Sequence, residues 1–163
     1  MATATADDFD GAAALAALLR GQRLATLATL RQGAPLASMT LYLAEPGFAG
    51  FLVHVSRLAW HTQDMAQDAR VSLSVSEADD GRADPFTLMR ASIRGDARQV
   101  ANAAPEFEAL KSAWLARFPA QAINFELADF SFWRIVPRDA RFVAGFGRIR
   151  NLSAAELAAC SKS

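Results

Sequence analysis

The sequence is poor in the residues that announce chemistry most directly. It holds one cysteine and two histidines in 163 residues. A single cysteine, Cys160, excludes an internal disulfide and fits a reducing compartment. Charge of one sign is also lacking: 17 Lys and Arg balance 17 Asp and Glu. That balance excludes a broad electrostatic grip on nucleic acid or on an anionic membrane, while leaving room for a small local anion site. No apolar stretch approaches the ~20 residues of a membrane-spanning helix; the longest helix-like run is AAALAALL, residues 12–19. The N-terminus carries Asp7 and Asp8 and no early Lys or Arg, unlike a secretory signal. Repeats, linkers and low-complexity segments are missing too. These absences lead us to expect a soluble, cytoplasmic protein of one domain, 1–163, with neither nucleic acid nor membrane as partner. A chain of this length buries roughly 70% of its unfolded surface.

What is present is mostly strand texture. After a helix over residues 9–20, with Asp10 as cap, RLATLATL (23–30) and LASMTLYL (36–43) flank a turn, RQGAP, holding Gly33 and Pro35. EPGFAG (45–50) turns into FLVHV (51–55), and VSLSVS (71–76) alternates strictly. Residues 77–85 form a polar loop. Strands over 86–95 and 96–101 are expected to meet near Gly95. A helix over 105–117 has Pro105 in its first turn. A last strand pair, 130–137 and 140–147, surrounds an Arg-Asp dipeptide, and a helix over 153–159 ends the chain. Short antiparallel strands with few helices read as a β-rich barrel with peripheral helices. The division is an N-terminal helix (1–20), a barrel (21–150) and a C-terminal helix and tail (151–163).

Both histidines fall in one stretch, HVSRLAWHTQDM (54–65), directly after Phe51-Leu52-Val53. A helix from about Arg57 to Gln67 would take Ser56 as N-cap, with Val55 and Trp60 spaced as a hydrophobic staple. Helical period then puts Leu58, His61, Thr62 and Met65 on one face, toward the body of the protein. Three readings of the stretch compete. A helix N-terminus offers unpaired N–H groups and partial positive charge, Arg57 a phosphate-matching fork, and Ser56 a hydroxyl: together, a phosphate cradle. The second reading is an ordinary capped helix with a surface arginine. The third, a metal site, is the weakest, with His54 on a strand, His61 on a helix and no cysteine near.

Ser38, Thr40 and Tyr42 share one face of their strand, opposite Met39, Leu41 and Leu43. That polar stripe lines a ligand groove or faces solvent. Arg90, Ser92 and Arg94 share another strand face, as do Asp129, Ser131 and Trp133, so that an Arg–Asp pair is open to them. AGFG (144–147) lacks the spacing of a dinucleotide fingerprint. No nucleophile–base pair is visible, and Cys160 has only Lys162 near it in sequence to activate it.

LATLATLRQGAPLASMTLYL and FLVHVSRLAWHTQDMAQDARVSLSV resemble the pyridoxamine 5'-phosphate oxidase-like, FMN-binding split-barrel superfamily. SRLAWHTQDMAQDARVSL, LMRASIRGDARQV and FPAQAINFELADFSFWRIVPRDARFVAGFG resemble its heme-utilisation (heme-degrading) branch. The resemblance covers about residues 20–150. It implies a mainly β (α+β) fold, a six-stranded antiparallel split barrel with peripheral helices. It also implies an obligate homodimer with a flavin site at each end of the interface. FMN would then lie along Ser38-Met39-Thr40, with its phosphate wrapped by Val53, His54, Val55, Ser56 and Arg57 and with His61 and Thr62 facing it. Basic residues of the oxidase itself are replaced here by Ser38, Leu43 and Leu58, and its substrate-binding C-terminal pattern is missing. Heme-degrading members use a C-terminal histidine as iron ligand, and NLSAAELAACSKS has none. Arg90 and Asp129 match heme-pocket positions of that branch, and its usual Asn is Asp64 here. The expectation is a flavin-dependent oxidoreductase acting on a small molecule, with no side chain assigned to catalysis and no metal. Heme binding or degradation ranks behind it, beside a non-catalytic flavin-binding module.

Overall fold

LATLATLR and APLASMTL pair as β1 (Leu24–Arg31) and β2 (Ala34–Leu41), antiparallel from Leu24↔Leu41 to Arg31↔Ala34. Between them, Gln32 and Gly33 sit at φ 53° and 82°, the two left-handed residues a type I′ hairpin requires. Pro35, expected in the turn, falls within β2, an edge strand, where sheets tolerate proline. These features belong to a computed structural model that describes residues 10–145 and 147–162. Asp7, Asp8 and the first residue of the expected 9–20 helix lie outside the described residues, as does Phe146 of the expected last strand.

The chain runs on through Tyr42 into β3 (Leu43–Ala44), which pairs with β4 (Phe51–Ser56). The remaining strands are β5 (Arg70–Ser76), β6 (Arg90–Gln99), β7 (Phe130–Val143) and β8 (Ile149–Ser153). Sheet order is β2-β1-β5-β6-β7-β4-β3, with β8 pairing β7. Its two ends, β2 and β3, are consecutive pieces of one segment, so the antiparallel sheet curls back toward itself as a split barrel. The described strands number eight rather than six: β3 prolongs β2 around the corner, and β8 adds a hairpin to β7.

Two expected breaks do not occur. β6 runs unbroken through Gly95, with a register shift between Arg94 and Gly95 opposite Pro137. A Cβ on Gly95 would stand 2.4 Å from the Val136 carbonyl oxygen, so glycine permits a close crossing rather than a turn. β7 likewise runs straight through Arg138-Asp139. Charge pairs to β6 hold that dipeptide in the sheet: Arg94 Nε to Asp139 at 2.8 Å and Arg138 Nε to Asp96 at 2.6 Å.

Inside the barrel lie Leu27, Leu73, Val75, Ile93 and Phe142. One end is closed by α1 (Gly11–Gly21), through Leu15, Leu18 and Leu19, and by α4 (Ala154–Cys160), through Leu157 and Cys160. Asp10 caps α1 as expected, accepting from the Ala12 and Ala13 amides at 2.9 and 3.0 Å. Tyr42 leaves the proposed polar stripe: it is fully buried, and its hydroxyl donates to the Leu19 carbonyl at 2.7 Å.

A second apolar cluster sits outside the barrel. It joins Leu52 of β4 and Phe132 of β7 to Trp114 and Phe118, from α3 (Phe107–Arg117) and the residue after it. Phe51, Val53 and Val55 face the barrel core instead. β4 is thus buried on both faces, which is why FLVHV shows no polar alternation. Pro105 precedes α3 rather than opening it. No helix among the described residues is long and apolar enough to cross a membrane.

Candidate functional site

The second helix, α2 (Trp60–Gln67), begins three residues later than expected. Ser56 is not its cap. The Ser56 hydroxyl accepts from the Leu58 amide at 3.1 Å and donates to the Asp129 carboxylate, while the Arg57 amide donates to the Asp129 carbonyl at 2.7 Å. Ser56 is opposite Phe130 on β7, so the register brings Asp129 alongside, and a carboxylate makes the stronger, charge-assisted bond. Residues 57–59 form a turn, and the cap position falls to Ala59, whose methyl side chain cannot accept a hydrogen bond. The Thr62 and Gln63 amides both donate to the Ala59 carbonyl at 3.2 Å. The Trp60 and His61 amides have no acceptor among the described hydrogen bonds, so the helix start keeps two open donors.

Trp60 makes no staple. It is 59% exposed, with the Arg31 guanidinium 4.4 Å from its ring centroid. Leu58 is exposed as well, whereas Thr62, Asp64 and Met65 are buried. Asp64 anchors the helix to β1, accepting from Thr29 Oγ1 and from Arg31 at 3.0 Å each.

Between β2, β4, this turn and the short helical segment Pro119–Phe125 lies a groove of about 390 Å³. Of the expected residues it gathers Met39, Thr40, His54, Val55, Ser56 and His61. Four others do not line it. Ser38 is half-buried on β2, Val53 points into the barrel core, Thr62 is buried with its hydroxyl unpartnered, and Arg57 is exposed on the adjoining turn. Sequence reasoning missed Leu24, Leu41, Ala59, Phe130, Gln121 and Asn124. Asn124 donates to Gln121 at 2.7 Å, and nothing local in PAQAINF marks either as a wall of a groove. The Arg–Asp pair left open between those strand faces does not form: Arg90 donates to the Phe86 and Leu88 carbonyls at 3.1 Å, Arg94 donates to Asp139, and the Asp129 carboxylate accepts from Ser56.

His54 is sandwiched among rings. It stacks on Phe125 at a centroid distance of 4.2 Å and 13° between planes, with Phe132 at 4.6 Å, Phe130 at 5.4 Å and Trp114 at 5.9 Å. Burial lowers its pKa to about 4, so the ring is neutral near pH 7. His61 is also held below its ordinary value, chiefly by burial, with the nearby Asp64 opposing. No three His, Cys, Asp or Glu side chains among the described residues come together as a metal site. A wider groove of about 520 Å³ lies across β5 to β8 and takes in Ser92 and Arg94, but its polar groups pair internally, Arg94 with Asp139 and Arg141 with Asn151, and none of the residues expected to hold FMN lines it.

Residues 12–144 match the family model described as pyridoxamine 5'-phosphate oxidase. The non-canonical heme oxygenase HOZ of Arabidopsis thaliana chloroplasts is 33% identical over 122 residues, which span 75% of this chain and 36% of that protein. A heme binding protein from Mycobacterium smegmatis superposes with a TM-score of 0.80 at 28% identity, over 94% of this chain and 62% of the other. An FAD-binding protein from Mesorhizobium loti shares the fold, with a TM-score of 0.61 at 20% identity over 76% of this chain and 84% of its own. The chain therefore spans about a third of the plant protein and less than two-thirds of the mycobacterial one.

Proposed function

The chain belongs to the pyridoxamine 5'-phosphate oxidase family, and from that premise we propose that it is a homodimeric, cytoplasmic FMN-binding protein that acts as a flavin-dependent oxidoreductase on a small molecule. The observation that carries this reading is the juxtaposition of an apolar, histidine-bearing groove with the open Trp60 and His61 amides and the exposed Arg57. A flat ring suits walls of Met39, Leu41 and Phe130. A phosphate ester suits two backbone donors, a helix N-terminus and one guanidinium. Ser56 contributes less than its sequence context suggested, because its proton is already given to Asp129. That carboxylate also repels an anion, so the grip rests on the amides and Arg57.

FMN would supply hydride or single-electron chemistry at its ring; the protein would supply orientation and a dry wall. His54 and His61 stand at the groove as polar groups, and Leu24 and Met39, 50% and 74% exposed, form an apolar rim suited to a second copy. These groups support flavin binding, and none of them is assigned to proton transfer.

Heme is the second reading, favoured by the heme-named relatives at 33% and 28% identity. Against it stands the ligand question, since only His54 and His61 are at hand. Titration of the purified protein with FMN and, separately, with hemin decides between them. We expect quenched flavin fluorescence and a structured flavin absorption band with FMN. A Soret band that shifts on binding hemin, without any response to FMN, would overturn the flavin proposal.

A further inference from the structure

His54 is 9% exposed, and its Nδ1 is buried with no hydrogen-bond partner. The ring lines the groove, and Nε2 is the nitrogen not sealed away. A neutral imidazole carries a single N–H, on one nitrogen or the other. Interiors leave acceptors unpaired more readily than N–H donors. The proton therefore belongs on Nε2, where water or a ligand meets it, and the bare lone pair of Nδ1 is left among the rings of Phe125, Phe132 and Trp114. The stack on Phe125 fixes the direction in which the Nε2–H points.

This tautomer has two chemical consequences. The groove presents a neutral, directional donor. A metal-ligating histidine needs the opposite arrangement: a free lone pair toward the metal and the other N–H held by an acceptor. Nδ1 has no such acceptor here.

We propose that His54 is a specificity-determining donor, its Nε2–H hydrogen-bonding a carbonyl oxygen on the edge of a planar ring ligand, and that it does not ligate a metal. The ligand class, a ring bearing a lactam or imide carbonyl, rests on the flavin reading of the groove; the donor assignment rests on the surroundings of His54 alone.

Three measurements on the full chain test this. Long-range proton–nitrogen NMR of the labelled protein, with the His54 signals identified by their loss in His54→Phe, reads the tautomer directly. The Nε2–H pattern is expected, and an Nδ1–H pattern overturns the proposal whether or not any flavin binds. Riboflavin and FMN titrations then compare wild type with His54→Phe, which keeps the stack. A loss of about five- to tenfold is expected for both flavins, since one neutral hydrogen bond is removed from the ring that both share. Unchanged affinity for both overturns the donor role. Finally, hemin titration of His54→Phe should reproduce the wild-type Soret position; a displaced band would make His54 an iron ligand and overturn the proposal. If wild type binds neither flavin, the flavin reading fails, and the NMR result still decides the tautomer.

Discussion

The Arg31 guanidinium meets the Asp64 carboxylate at 3.0 Å while lying 4.4 Å over the Trp60 ring, so one side chain of β1 grips α2 at two points. Asp64 is 3% exposed and also accepts from Thr29. Removing it strands a buried hydroxyl and a half-buried cation. Asp64→Ala is expected to cost about 2–3 kcal/mol, below the figure for a wholly buried pair because water reaches Arg31. Asp64→Asn keeps the shape and should cost about half as much. Denaturant unfolding checks both, and an unchanged midpoint in Asp64→Ala would refute the anchoring role.

At Gly95 an added Cβ meets the Val136 backbone at 2.4 Å, so a side chain there forces backbone, not a flexible side chain, to move. Gly95→Ala should destabilise by about 2–4 kcal/mol. Gly21, with no atom within 4 Å of an added Cβ and no left-handed φ, provides the contrast. Gly21→Ala should be neutral or stabilising by about 0.4–1 kcal/mol through the unfolded chain. Thermal melts of the two variants should therefore move apart.

The same comparison explains what the sequence makes legible. The β1–β2 hairpin follows from local chemistry, alternation on both sides of a glycine-bearing turn. α2 starts later than local capping rules predict because the decisive contact, Ser56 to Asp129, links residues 73 apart, and those rules do not register a carboxylate arriving from another strand. Continuity of β6 and β7 was hidden in the same way, in cross-strand pairs that only the folded register brings together. Within the site, Val53 to Arg57 reads as one block, yet the fold divides it: Val53 packs in the barrel core, His54, Val55 and Ser56 line the groove, and Arg57 is exposed on the turn beyond the strand. Gln121 and Asn124 had no signal at all, being walls by position rather than by type.

Stability should depend on pH through His54. Its folded pKa is about 4, against ~6.5 for an unfolded histidine. Between those values the unfolded chain binds more protons, so stability rises with pH. The contribution is complete above ~6.5, falls away as pH drops toward 4, and levels off below. His61, also lowered, adds in the same direction. Asp68 and Asp80, lowered to about 2 by their arginine partners, lose their share only below ~4, a separate window. Unfolding free energies from pH 4.5 to 6.5 should show a slope in wild type that His54→Phe reduces by up to about 1.4 kcal/mol per pH unit. Parallel slopes would contradict burial of a neutral ring.

Arg57 is exposed on the turn beside the groove, so its replacement should leave the fold intact and affect only anion binding. Arg57→Ala is expected to weaken FMN about 10- to 100-fold, the loss of a charge-assisted contact, and to leave riboflavin unchanged. Added salt should weaken FMN binding in wild type more than in the variant. Equal losses for the two flavins would place Arg57 against the ring instead of the phosphate.

The rim of the groove gives the oligomer prediction. Met39 is 74% exposed near the C-terminal end of β2, and Leu24 is 50% exposed at the start of β1. Both side chains line the groove rather than the core, so replacing Met39 disturbs little of the packing inside one chain, and a charge placed there costs a monomer almost nothing. In a dimer closed over the groove, the same charge from each copy would be trapped in an apolar seam without a partner. Met39→Asp should therefore keep the wild-type unfolding midpoint at dilution while lowering the sedimentation mass from dimer to monomer at micromolar concentration. Flavin affinity should fall with it, because each groove loses both the apolar Met39 wall and the wall its neighbour supplies. Should wild type itself sediment as a monomer at that concentration, the groove stands open on one side and the homodimer is wrong; should Met39→Asp remain dimeric and still bind FMN, the seam lies elsewhere on the barrel.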